Sequence, residues 1–229
     1  MIIINPKINS ETEECRSVGD AVLRELGKIK SNEKKKIIQK EMLEITNDFD
    51  YESILQSSVL FLQRDSVFLG KSFFEECSKE KKKPCLIVFD ALSRKYLYEL
   101  VKSGFPKENI LLVGARSFDR EGIIFLSENK IRQVSINELS NDIEEMTDVI
   151  MEFASGKELC VLFGMGVIDP AFAPAAVCAE PGGLTSRQAI YIVSRMGMMK
   201  NLRIFNLSGI KSPEPMTIKL AAKLAAEIL

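Results

Sequence analysis

The chain contains no histidine. Imidazole is the side chain that most readily moves protons near neutrality and the commonest nitrogen ligand of metals. A histidine base behind a nucleophile, or a histidine-bearing metal centre, is therefore excluded. An excess of one charge is missing too. Lysine plus arginine (31) against aspartate plus glutamate (32) leaves a net charge of −1, so no overall field draws the chain to nucleic acid or to an anionic membrane. The lysine runs Lys34–Lys36 and Lys81–Lys83 sit beside acidic residues before apolar stretches and read as solvated loops. No apolar run approaches a membrane span, and Met1–Ile4 is only a strand's length with no basic leader, which argues against a secretory signal. The cysteines (Cys15, Cys77, Cys85, Cys160, Cys178) are scattered, odd in number and form no C-x-x-C pair. A reducing cytoplasm is the expected compartment.

What is present is a folding sequence. With 229 residues and 46% hydrophobic content, the chain is long enough for one large α/β domain over residues 1–229, with a substantial core. Short β-branched runs alternate with longer amphipathic segments, the pattern of a mostly parallel sheet covered by helices on both faces. Ile2–Ile4 reads as a strand and Glu13–Ile29 as a helix. Ser57–Leu62 and Val67–Leu69 fit either a strand or a helix end. Leu86–Phe89, Ile110–Val113, Leu159–Phe163 and Leu202–Leu207 are the firmest strands, each four to six mostly apolar residues bounded by turn or charged residues. Leu139, Ile143, Met146, Ile150 and Phe153 fall at helical spacing on one apolar face. Thr185 with Gln188 predicts a capping box. A last helix is expected from Glu214-Pro215, with Ile218, Ala221, Leu224, Ala225 and Ile228 on its inner side.

The most specific motif lies between Leu159 and Val193. Asp169-Pro170, Ala171-Phe172-Ala173-Pro174 and Gly182-Gly183-Leu184-Thr185 match, in identity and spacing, the S-x-D-x-D-x-x-D-P and G-G-L-T-x-R-E signature of the arginase/agmatinase/formiminoglutamase (ureohydrolase) superfamily. Leu86 to Arg94 is similar to the family's D-A-H-x-D strand end, Leu112 to Ser117 to its I-G-x-R-S strand, and Thr217–Ile228 to its closing helix. Phe68 to Phe74 is placed against its G-G-D-H-S segment. The resemblance implies a trimmed, three-layer α/β/α arginase-like fold and a homo-oligomer or a partnership with a paralogous ureohydrolase subunit.

In that family, six ligands hold two manganese ions. Here the two aspartate positions of the signature are Gly164 and Gly166. In the D-A-H-x-D strand only Asp90 remains, with Leu92 at the histidine position and Arg94 at the second aspartate. Phe73 or a neighbour takes the other histidine position. Two divalent ions need several carboxylates and imidazoles, so no metal and no cofactor are expected, and a metal-activated hydroxide is not available. The family's substrate loop would lie between Asp90 and Gly114, where this chain has little more than a helix and a turn. The acidic residue that pairs with a guanidinium substrate falls near Gly209.

The remaining residues are read against plainer alternatives. Gly164-Met165-Gly166 lacks the third glycine and the following helix of a dinucleotide loop. These glycines are better read as letting neighbours close over a vacated metal site, with Phe73 and Leu92 filling space and Arg94 paired to Asp90. Cys178 is a candidate nucleophile without a base, and reads more simply as a small residue in place of threonine. Asp169 is read as an architectural residue holding the Pro170–Pro174 turn. No catalytic residue is assigned. A structural or regulatory subunit is the leading expectation. A hydrolase of non-peptide C–N bonds with a rebuilt site, and a small-molecule binder using the residual cleft, stand beside it.

Overall fold

The structure is a computed structural model that describes residues 2–4, 13–29, 59–62, 66–91 and 94–229. Its elements run β1 (Ile2–Ile4), α1 (Glu13–Leu26), β2 (Val59–Leu62), α2 (Ser66–Lys79), β3 (Pro84–Phe89), α3 (Arg94–Lys102), β4 (Ile110–Val113), α4 (Arg120–Asn129), β5 (Arg132–Val134), α5 (Ile136–Asn141), α6 (Ile143–Phe153), β6 (Glu158–Gly164), α7 (Ser186–Gly197), β7 (Leu202–Ser208) and α8 (Pro215–Ile228). All strand pairs are parallel, in the order β1-β2-β7-β6-β3-β4-β5.

The side chains alternate along the central strands, and the alternation builds two cores. Cys85, Ile87, Phe89, Val161, Phe163 and Phe205 face a cluster completed by α1 and α5 to α8. Leu86, Val88, Leu112, Cys160, Leu162 and Ile204 face the other, completed by α2, α3 and α4. Strands buried on both faces become continuous apolar runs, which is why β3, β4 and β6 are legible in the sequence. The expected three-layer α/β/α fold is the observed one. Val59–Leu62 resolves as a strand and Ser66–Lys79 as a helix.

The apolar face from Leu139 to Phe153 divides into two helices rather than one. Ser135 and Glu138 form a capping box at the start of α5. Asp142, at φ −147° and ψ 95°, ends α5 and caps α6 by accepting from the Glu144 and Glu145 N–H groups. A capping aspartate competes with helix continuation, and local chemistry overrides the periodicity. The Thr185–Gln188 capping box is present, and Glu214 caps α8 with Pro215 in its first turn.

The chain runs outward through β3, β4 and β5 and then returns to lay β6 on the opposite side of β3. The carboxyl ends of β3 and β6 therefore flank the point where the winding reverses. Open α/β sheets bind ligands at such points, and here it brings together Asp90 and Gly164.

Candidate functional site

Asp90 follows β3, and one carboxylate oxygen accepts the Ala91 N–H at 2.7 Å. The other side of the site is the end of β6 and the single 3-10 turn Met165–Val167. A Cβ on Gly164 would lie 3.0 Å from Asp90 Oδ2, and one on Gly166 would lie 2.9 Å from Asp90 Oδ1 and 3.0 Å from the Cys178 carbonyl. Both glycines thus sit where the Asp90 carboxylate and the Cys178 backbone already occupy the side-chain space. Gly209, just past β7, accepts the Val177 N–H at 2.8 Å, while Lys211 N donates to the Ala175 carbonyl at 2.9 Å. These bonds lay the 175–178 loop across the strand ends and put Cys178 over Gly166.

Five of the predicted positions meet here: Asp90, Gly164, Gly166, Cys178 and Gly209. Leu92 lies outside the described residues, and of Arg94 only the backbone in the first turn of α3 is described. Phe73 is a correction. It lies well inside α2, fully buried in the core cluster with Leu69, Leu97 and Leu100, and not at a strand end. Its helix is amphipathic and turns this residue to the sheet, so a loose motif alignment over the segment misplaced it. The junction from β2 to α2 is residues 63–65, outside the described residues.

Cys178 is half-buried. Burial first, then the negative charges of Asp90 and Glu180, push its thiol up from the ordinary value, so it stays protonated and poorly nucleophilic at neutral pH. Cys77 and Cys85 are pushed to about 12 chiefly by burial, and Cys160 is raised well above the ordinary value for the same reason. All three are core residues.

Two residues brace the site. Arg116, just beyond β4, uses every N–H of its guanidinium on backbone carbonyls: Nε to Pro181 at 3.1 Å, Nη1 to Gly114 at 3.4 Å and Val167 at 3.3 Å, Nη2 to Gly166 at 3.0 Å and Glu180 at 2.5 Å. Burial lowers its pKa, opposed by the charges of Asp169, Glu180 and Asp90, and a guanidinium remains charged regardless. Asp169 accepts the N–H groups of Ala171 at 2.9 Å, Gly182 at 2.7 Å and Gly183 at 3.3 Å. These bonds, with Arg116, hold its carboxyl below the ordinary value. The architectural reading of Asp169 is met. The bracing by Arg116 is not legible in the sequence, although five donors fanned out in one plane suit that side chain to gathering carbonyls.

The donor set does not fit a pair of divalent ions. Among the described residues no group of three or more His, Cys, Asp or Glu side chains is placed to hold a metal. At the reversal point, two of the six ligand positions are glycines packed against the one remaining carboxylate. Two hard cations in such a space would lack both donors and charge neutralisation.

A family comparison decides the relationship. The sequence profile of the Arginase family matches residues 75–229. The chain belongs to the arginase family. Solved structures agree on the fold. Entamoeba histolytica arginase in complex with L-ornithine is similar at a TM-score of 0.72 and 16% identity, over 99% of this chain and 96% of that one. Formimidoylglutamase from Bacillus subtilis gives 0.77 and 12%, over 99% and 85%. Arginase from Bacillus cereus gives 0.75 and 14%, over 99% and 96%. No curated protein matches the sequence. This arginase-family chain is a divergent member that lacks the binuclear metal ligands.

Proposed function

We propose that this arginase-family protein is a non-catalytic structural or regulatory subunit that assembles with itself or with a paralogous ureohydrolase chain in the cytoplasm. The observation that carries the reading is the seating of Asp90 against Gly164 and Gly166. The carboxylate that would face a cation instead lies against backbone, in space a ligand side chain would need. The path from Asp90 to Gly114 holds α3 and a 3-10 turn at Lys107–Asn109, which supports the loss of a substrate-gripping loop. The raised Cys178 thiol supports the absence of a replacement nucleophile. No helix among the described residues is long and apolar enough to cross a membrane, and the four described cysteines are free thiols, in keeping with a reducing compartment.

The test is metal analysis of tag-free protein, thermal melting with and without manganese, and hydrolysis assays with arginine, agmatine and formiminoglutamate. The expected result is no stoichiometric manganese, no hydrolysis and an unchanged melting temperature, because a ligand that binds the native state raises it. Two tightly held metals per chain, or turnover of any of the three substrates, overturns the reading in favour of a rebuilt C–N hydrolase.

A further inference from the structure

The segment from Ala175 to Gly183 crosses the strand ends with little apolar packing of its own. Ala175 and Ala176 are buried at one end and Leu184 just past the other, but Val177 is 60% exposed and Ala179 to Gly182 all face solvent. Hydrogen bonds at its two ends therefore hold it in place. Arg116 and Asp169 fasten the far end, at Glu180 to Gly183. The near end lies antiparallel to the chain leaving β7, with Ala176 opposite Ile210. There the Val177 N–H donates to the Gly209 carbonyl and the Lys211 N–H to that of Ala175.

A further bond at the near end comes from α8. The Ala175 N–H donates to the Thr217 hydroxyl at 3.1 Å. Thr217 is fully buried in the first turn of α8, and its hydroxyl donates to Glu214 Oε2 at 2.7 Å. A hydroxyl has one hydrogen and two lone pairs. With the hydrogen committed to Glu214, the oxygen is left as an acceptor, and Ala175 is the donor it meets. Glu214 also accepts the N–H groups of Met216 at 2.9 Å and Thr217 at 2.8 Å. One carboxylate thus caps the helix and orients the hydroxyl that holds the loop.

We propose that residues 175–183 are a strap that gates the Asp90 site, and that Thr217 is the positioning residue through which α8 keeps it shut. A segment of exposed residues held by hydrogen bonds opens at lower free energy than the sheet beneath it. Its opening moves the Cys178 backbone from above Gly166, where it and the Asp90 carboxylate crowd the same space, and gives solvent access to that carboxylate. Unfastening the near end does not require Arg116 to let go, so the two ends are separate controls. The gate goes beyond the subunit role proposed above and holds whether or not the site is catalytic.

Residue-resolved amide exchange, with alkylation of Cys178 by N-ethylmaleimide, tests this on the full-length chain. Thr217→Val keeps the side-chain shape and removes the acceptor. It is expected to speed exchange at Val177 and Lys211 about tenfold, the equivalent of one lost hydrogen bond, and Cys178 alkylation by a similar factor. Exchange in β3 and β6, and alkylation of the buried Cys77, Cys85 and Cys160, stay at the native rate. Thr217→Ser puts a hydroxyl back and returns both strap readouts to the original. Glu214→Ala keeps Thr217 but frees its hydroxyl hydrogen; it speeds both by a smaller factor and serves if the valine variant does not fold. Thr147→Val removes a buried hydroxyl that bonds only within α6, to the Ile143 carbonyl at 2.6 Å, and leaves the strap unchanged. Native rates at Val177 and Cys178 in the Thr217→Val and Glu214→Ala proteins overturn the proposal. So does acceleration spread equally over the sheet and all four cysteines, which would make Thr217 a support of global stability. Either result leaves the subunit role to be judged by its own metal and hydrolysis tests.

Discussion

Asp90 is held between two glycines, and those contacts set what the site tolerates. Gly166→Asp would place a Cβ 2.9 Å from Asp90 Oδ1 and 3.0 Å from the Cys178 carbonyl, and would add a second carboxylate beside the first. Overpacking together with like-charge burial is expected to cost about 3 kcal/mol or more, read as a fall in the urea midpoint. Combining Gly164→Asp and Gly166→Asp with Leu92→His and Arg94→Asp rebuilds ligand identities but neither the substrate loop nor an acid at Gly209. No arginine or agmatine hydrolysis is expected from that variant, and measurable turnover would show that the missing pieces are dispensable. Asp169 carries a pH signature. Its folded-state pKa is depressed from the ordinary 3.8 by backbone donors and Arg116, so its stabilisation is fully present above that ordinary value and is lost as pH falls through the lower folded one. Asp169→Asn is expected to flatten the acid limb of stability against pH and to cost about 1 kcal/mol at neutrality, since the site is largely solvated. Equal acid limbs in the two proteins would refute the assignment.

At the scale of elements, Arg116 joins the end of β4, the 3-10 turn after β6 and the loop before α7. One side chain therefore fixes three segments whose order in the sequence says nothing of their closeness. Lysine keeps the charge but has three donors on one atom and no planar fork, so Arg116→Lys leaves at least two carbonyls to water. The expected loss is about 2 kcal/mol, with faster amide exchange across 178–183 and unchanged exchange in β3 and β6. Equal slowing or speeding everywhere would mean that Arg116 supports global stability and not this loop. The same scale explains the break at Asp142, where capping overruled a continuous apolar stripe. It also explains α4, which carries apolar residues on several sides and so presents no single face from which a helix could be read.

At the scale of the molecule, the sheet interleaves distant parts of the chain. β2 pairs with β7, and β6 lies between β7 and β3. With such pairing, loss of either end removes partners from the middle, and we propose that residues 1–229 act as one domain. A single calorimetric transition with matching van't Hoff and calorimetric enthalpies is expected. Two resolved transitions would divide the chain.

The sequence by itself determined the buried strands and the family. Parallel strands covered on both faces must be nearly all apolar, as Cys85–Phe89 and Leu159–Phe163 are, and the Asp169–Thr185 block forms a turn whose side-chain acceptor and glycines are fixed locally. It also determined which donors are missing, because a glycine has no side chain in any fold. Only the tertiary structure decided where those residues stand relative to one another. Phe73 was misplaced because motif alignment cannot tell a strand end from the buried face of a helix. The roles of Gly164, Gly166 and Arg116 depend on contacts across 50 to 76 residues of chain, made when β6 returns beside β3. Local spacing encodes which face of an element is apolar, but distances between strand ends exist only once the sheet has formed.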